Sequence, residues 1–239
     1  MIEPKPHDSK HGALPQADAL ARAAVEDIQS GMIVGLGTGR NSDRAIRALA
    51  DRLRTEKLDI DCICTSKATE ALAVELGLPV VPFDEIEEVD YLFDGAYEVD
   101  RGMRMLKGLY GAITRQRLVA QVARRRVYIT AEERLSDRLG AKAPLTITII
   151  PFGIASIRNR LRDMGLIGVP RHNLDGSLFM SDGGGVVLDL RMPERDPRQL
   201  AEELDHVTGV VDHGIFLDEA DTILLECKGG EVKRMDRED

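Results

Sequence analysis

Three separated segments set hydroxyl, cationic and carboxylate side chains beside glycine. They are Gly35-Leu36-Gly37-Thr38-Gly39 followed by Arg40-Asn41, then Thr65-Ser66-Lys67-Ala68-Thr69, and then Asp94-Gly95-Ala96-Tyr97-Glu98 with Lys107-Gly108 downstream. Glycine lets backbone N–H groups approach an anion, and the helix start that follows adds positive potential, so the first segment has the chemistry of a phosphate cradle. It is equally the make-up of a tight turn whose glycines only allow close packing. Arg40 stands at the third glycine of a dinucleotide fingerprint, and no Gly-Lys-Ser/Thr follows, so neither nucleotide motif is met. Thr65 and Ser66 suit either a ligand's hydroxyls or a helix N-cap. Lys107 has the charge to hold a developing oxyanion, or else is a solvated surface lysine. Arg40 is a bidentate clamp for phosphate or carboxylate, or an exposed first-turn arginine.

These segments need elements to aim them. Leu20, Ala24, Val25 and Ile28 recur at helical spacing and Gly31 follows, so a helix precedes the apolar strand Met32–Leu36. Ile46, Leu49, Ala50 and Leu53 mark the next helix. Strand and helix then alternate: a strand over 60–64, a helix over 66–76, apolar runs at 80–81 and 91–93, a helix around 114–125 and a strand over 127–130. That alternation predicts a mostly parallel sheet covered on both faces. Its strand ends collect the glycine segments, where open α/β sheets bind ligands. After Gly140 the rhythm changes to strand (145–150), helix (155–164), hairpin (178–181 with 186–190, turning at Asp182-Gly183-Gly184-Gly185) and helix (197–206), the order of a small α+β unit. The runs 209–216 and 222–227 have strand character and are expected to return to the first sheet. The charged tail 228–239 is expected to fray, and residues 1–15 to be disordered.

The 239-residue chain is 43% apolar and carries a net charge of −9. It is large enough for one core or two, and its overall field opposes polyanions and gives no support to general nucleic-acid binding, so no nucleic-acid partner is expected. Cys62, Cys64 and Cys227 make no disulfide framework, and His172, His206 and His213 show no ligand spacing with them, so no metal is expected. No apolar run is long enough to cross a bilayer and no secretory h-region is present, which predicts a cytoplasmic protein without a membrane partner.

Taken in order, Val34-Gly35-Leu36-Gly37-Thr38-Gly39, Thr65-Ser66, Asp94-Gly95-Ala96 with Glu98, and Lys107-Gly108 resemble the motifs of the type A ribose-5-phosphate isomerase family. The similarity runs from about Leu20 to about Leu225 and includes Gly77-Leu78-Pro79-Val80, Gly209-Val210-Val211 and Gly214-Ile215-Phe216. It implies a Rossmann-like sheet with helices on both faces (16–141 and 209–239) under a small ferredoxin-like α+β lid (142–208). It also implies metal- and cofactor-free interconversion of ribose 5-phosphate and ribulose 5-phosphate through an enediolate, and a homo-oligomer, dimer or tetramer. Carried over residue by residue, Asp94 aids ring opening or binds hydroxyls and Lys107 holds substrate and intermediate charge. Gly37, Thr38, Gly39, Arg40, Asn41, Thr65, Ser66, Gly95, Ala96, Tyr97 and Gly108 line the sugar phosphate, with Arg134 as its lid-side phosphate contact.

The same alignment shows departures. Tyr97 replaces the second aspartate of Asp-Gly-Ala-Asp-Glu, Arg40-Asn41 replaces Ser-Thr, Leu109-Tyr110 replaces small residues, and the base glutamate falls at Gln116. An amide cannot accept and return a proton near neutral pH. Two functions follow: an aldose-ketose isomerase whose base has moved, with Glu98, Asp100 or Asp94 as the substitute, or a non-catalytic sugar-phosphate-binding protein, pseudoenzyme or regulatory.

Overall fold

A computed structural model describes residues 18–238, so the expectation for residues 1–15 lies outside the described residues. Strand–helix pairs come first: α1 (Ala19–Val25), β1 (Ile33–Leu36), α2 (Arg40–Glu56), β2 (Asp61–Cys64), α3 (Lys67–Glu75) and β3 (Val89–Gly95). Short strands β4 (Glu98–Asp100) and β5 (Met105–Leu106) lead into α4 (Ile113–Val122), β6 (Ala123–Ala131) and β7 (Leu135–Ser136). Then come β8 (Leu145–Ile149), α5 (Ile154–Asp163), β9 (Gly168–Pro170), β10 (Val186–Leu190), α6 (Pro197–Asp205) and β11 (Val210–His213). The chain closes with β12 (Ile215–Phe216), β13 (Thr222–Glu226) and β14 (Val232–Asp236).

The main sheet has the order β14-β13-β6-β3-β1-β2, parallel throughout except for β14. Side chains alternate across it. Tyr91 and Phe93 of β3 join Leu20, Val25, Ile46 and Leu49 from α1 and α2, whereas Leu92 meets Val119 and Ala120 of α4 on the opposite face. Burial on both faces is why these strands read as unbroken apolar runs. From β1 the chain steps to β2 on one side and to β3 on the other, so the order reverses between β1 and β3. The crevice at that reversal, beyond the strands' carboxyl ends, is where open α/β sheets take ligands.

A second, antiparallel sheet, β11-β8-β10-β9, carries α5 and α6 against its own core of Leu145, Ile147, Ile149, Leu188, Leu161 and Leu200. A third, β12-β5-β4-β7, lies over Val99, Met105, Tyr128, Phe216 and Ile223.

Several local expectations are corrected. The run 209–216 does not return to the parallel sheet, because Val210–His213 pairs with β8 and Ile215–Phe216 with β5, while only β13 rejoins β6. The helix expected to 125 ends at Val122, since Ala123 is already extended and pairs with Val89. Leu178 and Met180 give only isolated bridges in place of a full hairpin arm. The charged tail forms β14 rather than fraying. Its register with β13 sets Met235 opposite Ile223, and an edge strand tolerates outward lysine and arginine.

Candidate functional site

The loop after β1 and the end of β3 meet at the crevice. Gly37 packs so closely on Asp94 that a Cβ there would lie 2.3 Å from its Oδ1. The Thr38 amide donates to Asp94 Oδ1 at 2.9 Å, and the Asp94 neighbour Gly95 donates its amide to the same oxygen at 2.7 Å. Lys107, on the segment after β5, donates Nζ to Asp94 Oδ2 at 2.9 Å and also to the Gly95 carbonyl. Gln116, one turn into α4, donates Nε2 to both Asp94 oxygens at 3.1 and 2.9 Å. Asp94 is fully buried, and every one of these donors belongs to the protein.

Lys107 is buried as well, which settles its alternatives against a surface lysine. Its ammonium lies 4.9 Å from the Tyr128 ring centre and 5.5 Å from that of Phe216. Burial pulls its pKa below the usual lysine value, and the adjacent Asp94 carboxylate opposes that pull. The Tyr128 phenol, fully enclosed, is driven well above its ordinary pKa by the same burial.

Thr65 and Ser66 build the floor of the glycine loop. Ser66 caps α3 through the Thr69 amide at 3.0 Å, while the Thr38 hydroxyl pairs with those of Thr65 at 2.8 Å and Thr69 at 3.1 Å. These hydroxyls fix Thr38 from behind and do not line the cleft. Gly39 stands at φ +114° as the N-cap of α2 with no side-chain cap, leaving the first-turn amides of α2 to face the cleft.

That cleft, about 150 Å³, is lined by Thr38, Gly39, Arg40, Asn41, Gly95, Ala96, Tyr97, Lys107, Gly108, Leu109, Tyr110, Gln116, Thr130, Ala131, Glu133 and Arg134. The Arg134 guanidinium lies over the Tyr97 ring at 4.5 Å. Thr130, Ala131 and Glu133 were not singled out from sequence. Thr130 and Ala131 end β6 and Glu133 follows it, and the position of that strand next to β3 could have pointed to them.

Glu98 does not reach the cleft. Its carboxylate accepts from Ser136 Oγ at 2.7 Å and from the backbone amides of Gly140, Ala141, Lys142 and Ala143 at 2.9 to 3.2 Å, so it ties β4 to the connection that follows β7. Among the described residues no group of histidine, cysteine and carboxylate side chains is arranged to hold a metal. No helix among them is long and apolar enough to cross a membrane.

Chemically, the arrangement can seat an anion beside a buried cation. The lining of the cleft brings the start of α2, Arg40 and Arg134 together with Lys107 and Gln116. Glu133 is the one acidic side chain among its lining residues.

Comparison with known proteins fits this geometry. The family model described as ribose 5-phosphate isomerase A (phosphoriboisomerase A) matches residues 61–230. A relative named ribose-5-phosphate isomerase A from Gluconobacter oxydans (strain 621H) is 40% identical over 213 residues, 88% of this chain and 92% of its own length. The solved ribose 5-phosphate isomerase from Plasmodium falciparum superposes with a TM-score of 0.89 at 30% identity, over 93% of this chain and 98% of its own. A D-ribose-5-phosphate isomerase solved in complex with phospho-erythronic acid gives 0.88 at 29%, over 92% and 97%.

Proposed function

The chain belongs to the ribose 5-phosphate isomerase A family, and from that premise we propose that its cleft takes ribose 5-phosphate, ribulose 5-phosphate or a near relative, with aldose-ketose interconversion slowed by Gln116. In this reading the phosphate sits at the start of α2 between Arg40 and Arg134, and the carbonyl end of the open-chain sugar lies against Lys107. The antiparallel unit acts as the lid.

Isomerisation moves a proton between C1 and C2 while negative charge gathers on the enediolate oxygens. Lys107 supplies the fixed positive charge for those oxygens, in a buried place where it acts strongly. The proton transfer itself needs a base. Gln116 cannot serve, Asp94 is shielded by protein donors, and Glu98 is enclosed elsewhere. Loss of a positioned base costs about 10²–10⁴ in rate. The observation that carries the proposal is the Gln116 Nε2 contact with Asp94, which places a neutral amide on the same carboxylate that the buried cation holds and leaves Glu133 as the one acidic side chain lining the cleft.

A second reading, a sugar-phosphate-binding pseudoenzyme, is favoured by the closure of that same network. Asp94 accepts from both Lys107 and Gln116, so its carboxylate is committed to protein donors, as expected of a site that holds a ligand rather than moving its protons. One experiment separates the two. The protein is incubated with ribose 5-phosphate in heavy water, deuterium at C2 and ribulose 5-phosphate are measured, and calorimetry with phospho-erythronic acid runs alongside. Binding with slow exchange supports the isomerase, binding without exchange supports the binder, and absence of binding at millimolar ligand overturns both.

A further inference from the structure

Leu109 and Tyr110 sit on a short loop between two glycines with positive φ, Gly108 at +102° and Gly111 at +74°, closed by the Gly111 amide donating to the Gly108 carbonyl at 2.9 Å. Such a loop has little of its own to hold it in one place. Yet it roofs the anion seat: a Cβ on Gly39 would lie 2.5 Å from Tyr110 Cε2, so the ring rests on the glycine of the α2 cap.

What fixes the loop comes from the antiparallel unit. Arg171, just past β9 and only 11% exposed, donates Nη1 to the Leu109 carbonyl at 2.6 Å and to that of Gly108 at 3.3 Å. The rest of its guanidinium is gripped by Asp189 of β10, with Nε to Oδ2 at 2.8 Å, and Asp189 is steadied in turn by the Thr146 hydroxyl at 3.0 Å. Phe179 closes the other side, lying 5.5 Å from the Arg171 guanidinium and 2.5 Å from where a Gly111 Cβ would stand. A planar guanidinium serves carboxylate and carbonyls at once, which an ammonium cannot do in one geometry.

We infer that Arg171, oriented by Asp189, is a positioning residue that holds the 108–111 loop so that Tyr110 roofs the anion seat and presets the cleft for its ligand. The affinity consequence rests on the sugar-phosphate reading above; the loop consequence does not. Preorganisation of this kind saves the cost of ordering the loop on binding.

The chain has no tryptophan, so Tyr110→Trp puts a single fluorophore on the roof. In that background, Arg171→Met and Asp189→Asn are each expected to raise acrylamide quenching about threefold without ligand, with Arg171→Lys between them and the parent. With Tyr110 native, Arg171→Met is expected to weaken phospho-erythronic acid binding about tenfold by calorimetry. Unchanged quenching in both Arg171→Met and Asp189→Asn overturns the inference, as does raised quenching with unaltered affinity. Should Arg171→Met fail to fold, Asp189→Asn and Arg171→Lys carry the same comparison. If phospho-erythronic acid binds none of the proteins, the sugar-phosphate reading falls, and quenching alone decides the role of Arg171.

Discussion

A glutamate at position 116 would stand where the Gln116 amide now donates to both oxygens of Asp94. Two carboxylates at that separation do not both ionise freely, so the new carboxyl would bind its proton more tightly in the folded than in the unfolded chain. The folded state then holds more protons above the ordinary glutamate range, and stability falls as pH rises through that window. Gln116→Glu is therefore expected to melt close to the parent near about pH 4 and below it at about pH 7, where the unfolded glutamate is ionised. Parallel melting curves across that range would mean that position 116 does not face Asp94. Glu98 makes a contrasting case. Its carboxylate meets one hydroxyl and four backbone amides, and Glu98→Gln would turn an N–H toward those donors. A loss of about 3 kcal/mol is expected by chemical denaturation, with phospho-erythronic acid affinity unchanged in the folded fraction. A weakened ligand with normal stability would return Glu98 to the site.

At the scale of elements, the cleft depends on two loops that touch. Gly39 holds φ +114° at the start of α2, and the Tyr110 ring fills the space where its side chain would be. Gly39→Ala is expected to cost about 1–3 kcal/mol from backbone strain and to displace Tyr110. Adding Tyr110→Ala should relieve the clash but not the strain, so the double variant recovers part of the loss. Full recovery in thermal melts would show that φ is not the constraint, and no recovery would show that the ring is not the obstacle. The third sheet follows the same logic of contact. Its strands are two or three residues long, and they hold Lys107 where β5 passes between β4 and β12.

Across the whole molecule, Arg117 joins the parallel and antiparallel units. From α4 it donates Nε to Asp212 at 2.8 Å, Nη1 to Glu219 at 2.5 Å and Nη2 to the His213 and Ile215 carbonyls at 2.7 and 2.9 Å, and its guanidinium lies 4.1 Å from the Phe216 ring centre. Its removal strands the buried Asp212 carboxylate, the largely enclosed Glu219 carboxylate and two carbonyls. Arg117→Met is expected to lose about 3–5 kcal/mol of stability, and hydrogen exchange should rise first along β11 and β12. A uniform rise over all sheets would instead mark one cooperative core.

Period and punctuation in the sequence carried the strand–helix order, because sheet strands buried on both faces need unbroken apolar runs and glycine marks the turns between them. The ordered motifs carried the family. Short strands such as Glu98–Asp100, Met105–Leu106 and Leu135–Ser136 have no readable period, and the pairing of Val210–His213 with β8 is a contact between distant segments that no local pattern encodes. The same limit governs the site. The family resemblance placed Asp94, Lys107 and Gln116 in one neighbourhood, but which donor faces which oxygen, whether Glu98 points to the cleft or to the amides of 140–143, and the grip of Arg171 on the Leu109 carbonyl are matters of direction. Direction is fixed only when the sheets have packed and each buried polar group has found its partner.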